Sequence, residues 1–250
     1  MADGLLRGRR AIVTGGAGGI GSAIVAGLHV EGAAVAAIGR NPSVVAVAAG
    51  LPPSPMAVGV VADLADLAAC EDGFRRAVEA LGGLDILVTA HGHVLPQHSA
   101  SADLADFERT MATNLTSVFR LSQLAYAEME PRGGGKIIHI ASMYAFLGGL
   151  RVAAYAASKG GVAQLTKSLA IEWAASGVNV NAVAPGYVRT GLNRHIWDDP
   201  ERAGQVLARI PAGRWGEPTD VVGPVVFLAS RLADYVHGVV LPVDGGYLAR

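Results

Sequence analysis

The sequence of 250 residues predicts an α/β fold with one doubly wound, seven-stranded parallel sheet and helices on both faces. Seven short runs are almost wholly apolar rather than alternating, which is typical of parallel strands covered on both sides. Amphipathic segments of helical length separate these runs, as right-handed crossovers between parallel strands require. A glycine-rich run follows the first strand, at the sheet edge where such folds bind ligands.

The predicted strands and helices alternate along the chain. We predict strands at 11–13, 34–38, 56–61, 84–88, 136–141, 178–183 and 238–243. We predict helices at 19–31, 67–81, 103–129, 153–176 and 218–231, with a shorter helix in 41–51. No linker of changed composition divides residues 1–250, so we expect a single domain. The stretch 190–216 has no clear period and follows a strand end, where we expect a lid over a ligand.

Composition excludes several classes of function. The net charge of −1 leaves no basic footprint for nucleic acid or an anionic membrane. The uncharged stretches 11–30 and 41–62 are interrupted by glycines and prolines, so neither is expected to span a membrane. The single cysteine and the lack of a secretory signal favour the cytoplasm. The seven histidines lack helical pairing and acidic neighbours, so we predict no metal site.

The loop between the first strand and the first helix has the sequence of a phosphate-binding turn. Its glycines fit the spacing G-x-G-x-x-G in the strand–loop–helix context that this pattern requires. They let the backbone approach a pyrophosphate, and the helix N-terminus adds free N–H groups and a partial positive charge. We therefore expect a Rossmann-type dinucleotide site formed by Gly15, Gly18, Gly19, Ile20 and Gly21.

The end of the second strand indicates which dinucleotide binds. An acidic residue about 20 positions after the glycines hydrogen-bonds the ribose of NAD, whereas an arginine accommodates the 2′-phosphate of NADP. Arg40 stands there without a carboxylate, so NADP(H) is favoured and NAD(H) stays possible; alternatively, Arg40 is a solvated loop residue. Asp63, after the third strand, is either a contact for the adenine edge or an ordinary cap of residues 64–67.

A second group of functional candidates lies in the C-terminal half. Ser142 follows the fifth strand, Tyr155 comes thirteen residues later, and Lys159 follows at i+4 on the same helix face. A free phenol has a pKa of about 10, and a nearby ammonium lowers that pKa. With the hydroxyl of Ser142, these groups form a proton-transfer site that can accompany hydride transfer at a nicotinamide.

In combination, the motifs resemble the short-chain dehydrogenase/reductase family along essentially the whole chain. The residues that carry the resemblance are Thr14, Gly15, Gly19, Gly21, Asp63, Leu64, Asn114, Ser142, residues 155–159, residues 179–181, Pro185, Gly186 and residues 244–246. The resemblance implies that Tyr155 is the general acid/base and that Ser142 polarises the substrate carbonyl. It further implies that Lys159 binds the nicotinamide ribose and lowers the pKa of the phenol, and that Asn114 holds a water in a proton relay.

The same resemblance implies further cofactor contacts and a homotetramer. Pro185, Gly186, Val188 and Thr190 would contact the nicotinamide carboxamide, and Leu64, Ala90 and Gly92 are further cofactor candidates. The helices at 103–129 and 153–176 would pair across two-fold axes. Independently, these helices carry more apolar side chains than one sheet face requires, which indicates an interface with closed symmetry.

One segment departs from the family pattern. Where the family usually has Asn-Asn-Ala-Gly, this chain has Thr89-Ala90-His91-Gly92, so the bracing by the asparagine amides must be rebuilt or lost. His91 and His93 follow a central strand near the expected nicotinamide. They are either structural or cofactor-lining residues, or they are substrate ligands.

The substrate is predicted from shorter similarities. Residues 135–143, 149–152, 209–216 and 243–250 are similar to sugar-acid dehydrogenases of the family that act on 2-deoxygluconate or 2-keto-3-deoxygluconate. Arg151 could pair with a substrate carboxylate, although a surface arginine is an equal alternative. The substrate candidates are His93, Arg151 and Trp197, whereas His195 is expected to be solvated.

Two other functions stay open at this point. An apolar lid with Ile196 and Trp197 would suit a ketoreductase for a β-keto thioester or a bulkier ketone. A dinucleotide-sensing protein without catalysis is a third possibility, because fold alone does not imply activity. The intact Asn114, Ser142, Tyr155 and Lys159 favour an oxidoreductase that interconverts a secondary alcohol and a ketone.

Overall fold

The computed structural model describes residues 4–250 and contains a seven-stranded sheet in which every neighbouring pair is parallel. The order of strands is β3-β2-β1-β4-β5-β6-β7, which confirms the predicted doubly wound sheet. The strands are β1 (Arg10–Thr14), β2 (Ala34–Gly39), β3 (Ala57–Val61), β4 (Ile86–Thr89), β5 (Gly135–Ile140), β6 (Val178–Pro185) and β7 (Val240–Val243). Because the order reverses between β1 and β4, a ligand crevice forms at the carboxyl ends of these strands.

Helices connect the strands and cover both faces of the sheet. They are α1 (Gly19–Val30), α2 (Ser43–Ala49), α3 (Leu67–Leu81), α4 (Leu104–Met111), α5 (Ser117–Met129), α6 (Ala153–Trp173), α7 (Arg194–Trp197), α8 (Pro200–Leu207) and α9 (Val222–Ala229). The segment 190–216, in which the sequence has no clear period, therefore contains two short helices, α7 and α8. No helix within residues 4–250 is both long enough and apolar enough to cross a membrane.

The core lies on the two faces of the sheet because side chains alternate along each strand. Val13 of β1 packs with α1 and α9 on one face, in a cluster that includes Leu28 and Val225. Ile12, one residue earlier, points to the other face and packs with α3, α5 and α6. All these side chains are fully buried, so the almost wholly apolar strands follow from burial on both sides.

The predicted long helix at 103–129 is wrong in one respect. The chain forms α4, then a π-helical turn at Ala112–Thr116, and then α5. The extra residue in such a turn rotates the side chains that follow it, and here it directs Asn114 into the interior, where it is fully buried. The break therefore positions one of the predicted site residues.

The core also contains a histidine, His139, that the sequence analysis did not single out. His139 of β5 is fully buried between two helices, with Nε2 3.0 Å from Oγ of Ser122 in α5 and Nδ1 2.9 Å from Oγ1 of Thr166 in α6. Burial lowers the pKa of His139 to about 3, and the charge of Lys159 acts in the same direction. The ring is therefore neutral in the folded protein at ordinary pH.

This burial predicts a specific dependence of stability on pH. The pKa of His139 is about 3 when folded and about 6.5 when unfolded, so between these values the unfolded chain binds the extra proton. Stability from this group is complete above the unfolded pKa and falls by about 1.4 kcal/mol per pH unit as the pH drops through that window. We expect His139→Gln to flatten the curve of unfolding free energy against pH by about that slope, measured by urea denaturation. The control is His98→Gln, at an exposed histidine, which should leave the slope of unfolding free energy against pH unchanged. Parallel curves for wild type and His139→Gln would contradict the assignment of this slope to His139.

Candidate active site

The glycine loop after β1 closes tightly against the end of β4. Gly15 has φ +69°, and a Cβ there would lie 2.7 Å from the backbone N of His91 and 2.8 Å from the carbonyl oxygen of Ala90. A Cβ at Gly21 would collide with the carbonyl of Gly15. Any larger residue would push the loop outward. The bare backbone that remains at the start of α1 suits a pyrophosphate, so these residues fit a dinucleotide.

A cavity of about 470 Å³ opens beside this loop at the carboxyl edge of the sheet. It brings together most residues that the sequence predicts for the cofactor and for catalysis. They are Gly18, Gly19, Ile20, Gly21, Ala90, Gly92, Ser142, Tyr155, Lys159, Pro185, Gly186, Val188 and Thr190. The sequence analysis missed Leu192 and Asn193, which also line the cavity from the start of the 190–216 segment.

Ser142, Tyr155 and Lys159 meet where this cavity joins a smaller one. Ser142 follows β5, while Tyr155 and Lys159 lie one turn apart on α6. Nζ of Lys159 lies 5.8 Å from the centroid of the Tyr155 ring and donates to the carbonyl oxygen of Ile140 at 2.7 Å. Ser142 and Tyr155 line both cavities, whereas Lys159 lines only the larger one. A group held between the cavities would therefore contact the serine and the tyrosine together.

Burial dominates the electrostatics of this group. It raises the pKa of the Tyr155 phenol, and a hydrogen bond with Ser142 acts in the opposite direction with a smaller effect. The net direction is thus opposite to the lowering by Lys159 that the sequence analysis expects. Burial also lowers the pKa of Lys159 to about 8, because only 4% of this side chain is exposed. At neutral pH the phenol is a proton donor beside a charged ammonium.

Asn114 joins three parts of the site from behind the cavity wall. Its Oδ1 accepts from the backbone N–H of His93 at 2.7 Å, and its Nδ2 donates to the carbonyl oxygen of His93 at 2.8 Å. Nδ2 also donates to Oγ of Ser158 at 3.0 Å, and Ser158 in turn donates to the carbonyl oxygen of Tyr155. The side chain therefore holds the loop after β4 against the first turn of α6.

His91 occupies the position at which the chain departs from the family pattern. Its Nδ1 lies 2.6 Å from Oγ1 of Thr14, and its Nε2 lies 2.7 Å from Oγ of Ser117. Ser117 donates its own proton to the carbonyl oxygen of Thr113, so Nε2–H of His91 is the donor to Ser117 and Nδ1 accepts from Thr14. Burial lowers the pKa of His91 to about 3. The neutral ring thus ties β1 to the first residue of α5, which in turn bonds Thr113 of the π-helical turn.

The other predicted cofactor residues lie at the same edge of the sheet but outside the wall of the cavity. Arg40 is exposed, two residues after Ile38, whose carbonyl oxygen accepts from the N–H of Gly16 at 3.1 Å. Asp63 is exposed and accepts from the N–H of Ala65, while Leu64 is buried in the core. The cap of α3 is Asp66 rather than Asp63.

The predicted substrate residues do not line either cavity. The backbone N–H and carbonyl oxygen of His93 both bond to the side chain of Asn114. Arg151 is exposed, has φ 63°, and accepts at its carbonyl oxygen from the N–H of Gln97. Trp197 donates its indole N–H to the carbonyl oxygen of Thr190 and packs 5.5 Å from the guanidinium of Arg194. These contacts engage the three residues within loops and in the short helix α7.

The smaller cavity, of about 120 Å³, is lined by residues that the sequence analysis mostly missed. Its polar side chains other than Ser142 and Tyr155 are Tyr144, Tyr187, Asn193 and His195. Its apolar side chains are Val94, Pro96, Met143, Val152, Leu192 and Ile196. His195, expected to be solvated, is indeed exposed but also faces this cavity.

Known proteins are similar in sequence to this chain over nearly its whole length. The family model described as "Enoyl-(Acyl carrier protein) reductase" matches residues 15–248. The 2-dehydro-3-deoxy-D-gluconate 5-dehydrogenase of Escherichia coli is 40% identical over 246 residues, which cover 98% of this chain and 97% of that protein. The gluconate 5-dehydrogenase of Gluconobacter oxydans is 37% identical and covers 96% and 95%.

Solved structures agree over the same length. A Beutenbergia cavernae chain, crystallised with NADP at low occupancy, is 46% identical with a TM-score of 0.93 and covers 98% of both chains. The gluconate 5-dehydrogenase of Burkholderia cenocepacia, in complex with NADP and tartrate, is 36% identical with a TM-score of 0.93 over 100% of both chains. This chain is therefore an oxidoreductase that belongs to the short-chain dehydrogenase/reductase family.

Proposed function

We propose that this chain is an NADP(H)-dependent dehydrogenase that interconverts a secondary alcohol and a ketone on a sugar acid. The observation that carries the proposal is that Ser142 and Tyr155 line both cavities. A substrate in the smaller cavity would direct its reacting oxygen at these two hydroxyl groups and its reacting carbon toward the larger cavity. The glycine loop of the larger cavity fits a dinucleotide.

Each catalytic residue has a distinct task in this proposal. When bound, the nicotinamide supplies or takes the hydride. In reduction, Tyr155, which its raised pKa keeps protonated, donates its phenolic proton to the carbonyl oxygen, and Ser142 donates a hydrogen bond to the same oxygen. In oxidation, Tyr155 accepts the proton of the alcohol, and the buried ammonium of Lys159 stabilises the phenolate.

Lys159 and Asn114 also hold groups around the reacting atoms. Lys159 uses one N–H on the carbonyl oxygen of Ile140, which leaves two for the hydroxyl groups of the nicotinamide ribose. Asn114 uses both N–H groups of its amide, so one lone pair of its Oδ1 is left for a water in the proton relay. Both tasks use a donor or a lone pair that is not engaged in hydrogen bonds within the protein.

The preference for NADP(H) is supported by the exposed Arg40. A guanidinium at the end of β2 beside the glycine loop offers a fork of donors to a 2′-phosphate. Asp63 would contact the adenine edge from the end of β3. The Beutenbergia and Burkholderia structures were both solved with NADP.

The sugar-acid substrate is supported by the names of the relatives and by the polar side chains of the smaller cavity. Four further relatives at 35–51% identity are named 2-dehydro-3-deoxy-D-gluconate 5-dehydrogenase. The alternative is a ketoreductase for a β-keto thioester or a bulkier ketone, favoured by the six apolar side chains of the same cavity. A panel of sugar acids, polyols and β-keto thioesters, followed at the nicotinamide absorbance with both cofactors, distinguishes the two.

We further propose that residues 1–250 act as one catalytic domain with 190–216 as its substrate lid, and that the protein is a cytoplasmic homotetramer. The location is supported by the single cysteine, Cys70, which is free and buried. The assembly is supported by large apolar side chains exposed on the helices that the resemblance assigns to interfaces. They are Leu104, Phe107, Phe119 and Ile171.

Removal of one oxygen atom tests the proton transfer. We expect Tyr155→Phe to lower kcat by a factor of about 100 or more, because the proton donor is lost. The Kd for NADPH, measured by its fluorescence, should change little because the ring stays in place. Tyr126→Phe is the matched control, since Tyr126 bonds Ser176 and stacks on Trp173 at 4.6 Å, away from both cavities. Retained turnover in Tyr155→Phe would refute the assignment.

Replacement of Arg40 tests the cofactor preference. We expect Arg40→Ala to raise the Kd for NADPH about tenfold and leave that for NADH unchanged, since a charge-assisted hydrogen bond to the 2′-phosphate is lost. The exposed Arg231, which lines no wall of the larger cavity, gives the control Arg231→Ala. If the unmodified protein bound NADH more tightly than NADPH, the role of Arg40 would be wrong.

The mass in solution tests the assembly. We expect light scattering to give about four times the chain mass of 25.5 kDa. Ile171 is apolar and exposed on the single chain. We expect Ile171→Asp to lower the measured mass of the assembly, because the substitution would bury a charge in the interface. A monomer at micromolar concentration for the unmodified chain would contradict the proposal.

A further inference from the structure

We propose that the paired hydroxyl groups of Tyr144 and Tyr187 recognise a second hydroxyl group of the substrate, beyond the one that reacts. The inference rests on the proposed function, and it assigns to these two residues the selection of polyhydroxylated substrates over simple alcohols and ketones.

The two phenols meet at the wall of the smaller cavity. Their hydroxyl oxygens lie 3.0 Å apart, although the residues come from different loops. Tyr144 belongs to the turn after β5, two residues beyond Ser142, and Tyr187 follows Pro185 and Gly186 at the end of β6. Both side chains line the same cavity as the catalytic hydroxyl groups of Ser142 and Tyr155.

Both rings are held in place by packing. The ring of Tyr144 meets the ring of Tyr155 edge-on, with centroids 6.2 Å apart and an angle of 83° between the planes. The ring of Tyr187 makes edge contacts with Trp215 at 5.3 Å and Tyr247 at 5.7 Å. A fixed pair of hydroxyl groups binds a ligand hydroxyl with little loss of side-chain entropy.

The pair has unused hydrogen-bonding capacity. One phenol donates to the other, so one O–H and several lone pairs are left for a ligand. Asn193, in the same wall, uses one N–H of its amide on the carbonyl oxygen of Val188, and its Oδ1 accepts from Thr190. A hydroxyl group, which donates and accepts, is the ligand that matches this remaining capacity.

Either phenol can donate in the bond between the two. Burial raises the pKa of Tyr187, which therefore stays protonated. In either arrangement one O–H of the pair is left for the ligand. Tyr144→Phe and Tyr187→Phe each remove one hydroxyl group of the pair, so the ligand loses either its hydrogen-bond partner or the group that orients that partner.

The test combines variants of the enzyme with variants of the substrate. D-Gluconate and its deoxy analogues, each lacking one non-reacting hydroxyl group, are assayed with NADP⁺ for wild type, Tyr144→Phe and Tyr187→Phe. We expect wild type to lose about 5- to 10-fold in kcat/KM on one deoxy analogue, the size of one neutral hydrogen bond. In Tyr144→Phe the same analogue and gluconate should be turned over equally well, with the loss mainly in KM.

Controls separate this role from a general disturbance. Tyr126→Phe should reproduce the wild-type pattern, and quenching of tryptophan fluorescence by gluconate reports binding without turnover, because Trp215 lies against Tyr187. If Tyr144→Phe and Tyr187→Phe keep the wild-type discrimination between gluconate and every deoxy analogue, or lose activity equally on all substrates, the role of the pair is overturned. If wild type turns over no sugar acid with either cofactor, the proposed function itself fails, and the role of the pair fails with it.

Discussion

The ammonium of Lys159 is a charge in the interior of the protein, and much of the site can be understood from the cost of keeping it there. Only 4% of this side chain is exposed. Burial of an unpaired charge costs several kcal/mol, so the group needs hydrogen-bond acceptors close by. The end of β5 provides one in the carbonyl oxygen of Ile140. The same bond fixes Lys159 beside the strand that leads to Ser142.

The residues next to the ammonium of Lys159 are small or neutral. A Cβ at Gly92 would lie 3.7 Å from Nζ of Lys159, so a glycine leaves space for a ligand next to the ammonium. His91, one residue earlier, is neutral because burial and Lys159 both lower its pKa. Its ring joins β1 to the start of α5, next to Thr89 and Ala90, which stand where the family usually has two asparagines. Thr89 does not share in this connection, because its buried Oγ1 has no partner among residues 4–250.

The sequence predicts the parts of this arrangement that depend on local patterns. Apolar strands and the glycine turn are recognisable because burial on both faces and close backbone approach each restrict the residues allowed. The break in the helix at 103–129 is not recognisable, because Ala112–Thr116 contains no residue that forbids an ordinary helix. What selects the π-helical turn is the set of hydrogen bonds from Asn114 to His93 and Ser158, and these form only in the folded chain.

The same distinction applies to the smaller cavity. Tyr144 and Tyr187 are 43 residues apart, and neither belongs to a pattern with a fixed spacing. Trp197 and Arg151 are conspicuous in the sequence but line neither cavity. Loops bring the lining of this cavity together, and such contacts leave no periodic signal in one sequence. The residues proposed for catalysis could therefore be predicted from their spacing, whereas the other side chains that line the smaller cavity could not.

The wall of the smaller cavity is connected by packing and hydrogen bonds to residues 245–250. Tyr187 packs on Tyr247, and the ring of Tyr247 lies 4.4 Å from the guanidinium of Arg209 in the 190–216 segment. The N–H of Ala212 donates to the carbonyl oxygen of Gly245, and Arg250 donates to that of Ala208. Residues 245–250 thus hold the 190–216 segment, whose first residues line both cavities, and support the ring of Tyr187. Ser142, Tyr155 and Lys159 depend on β5 and α6 instead, so the proposed substrate pocket and the proposed catalytic group rest on different elements of the fold.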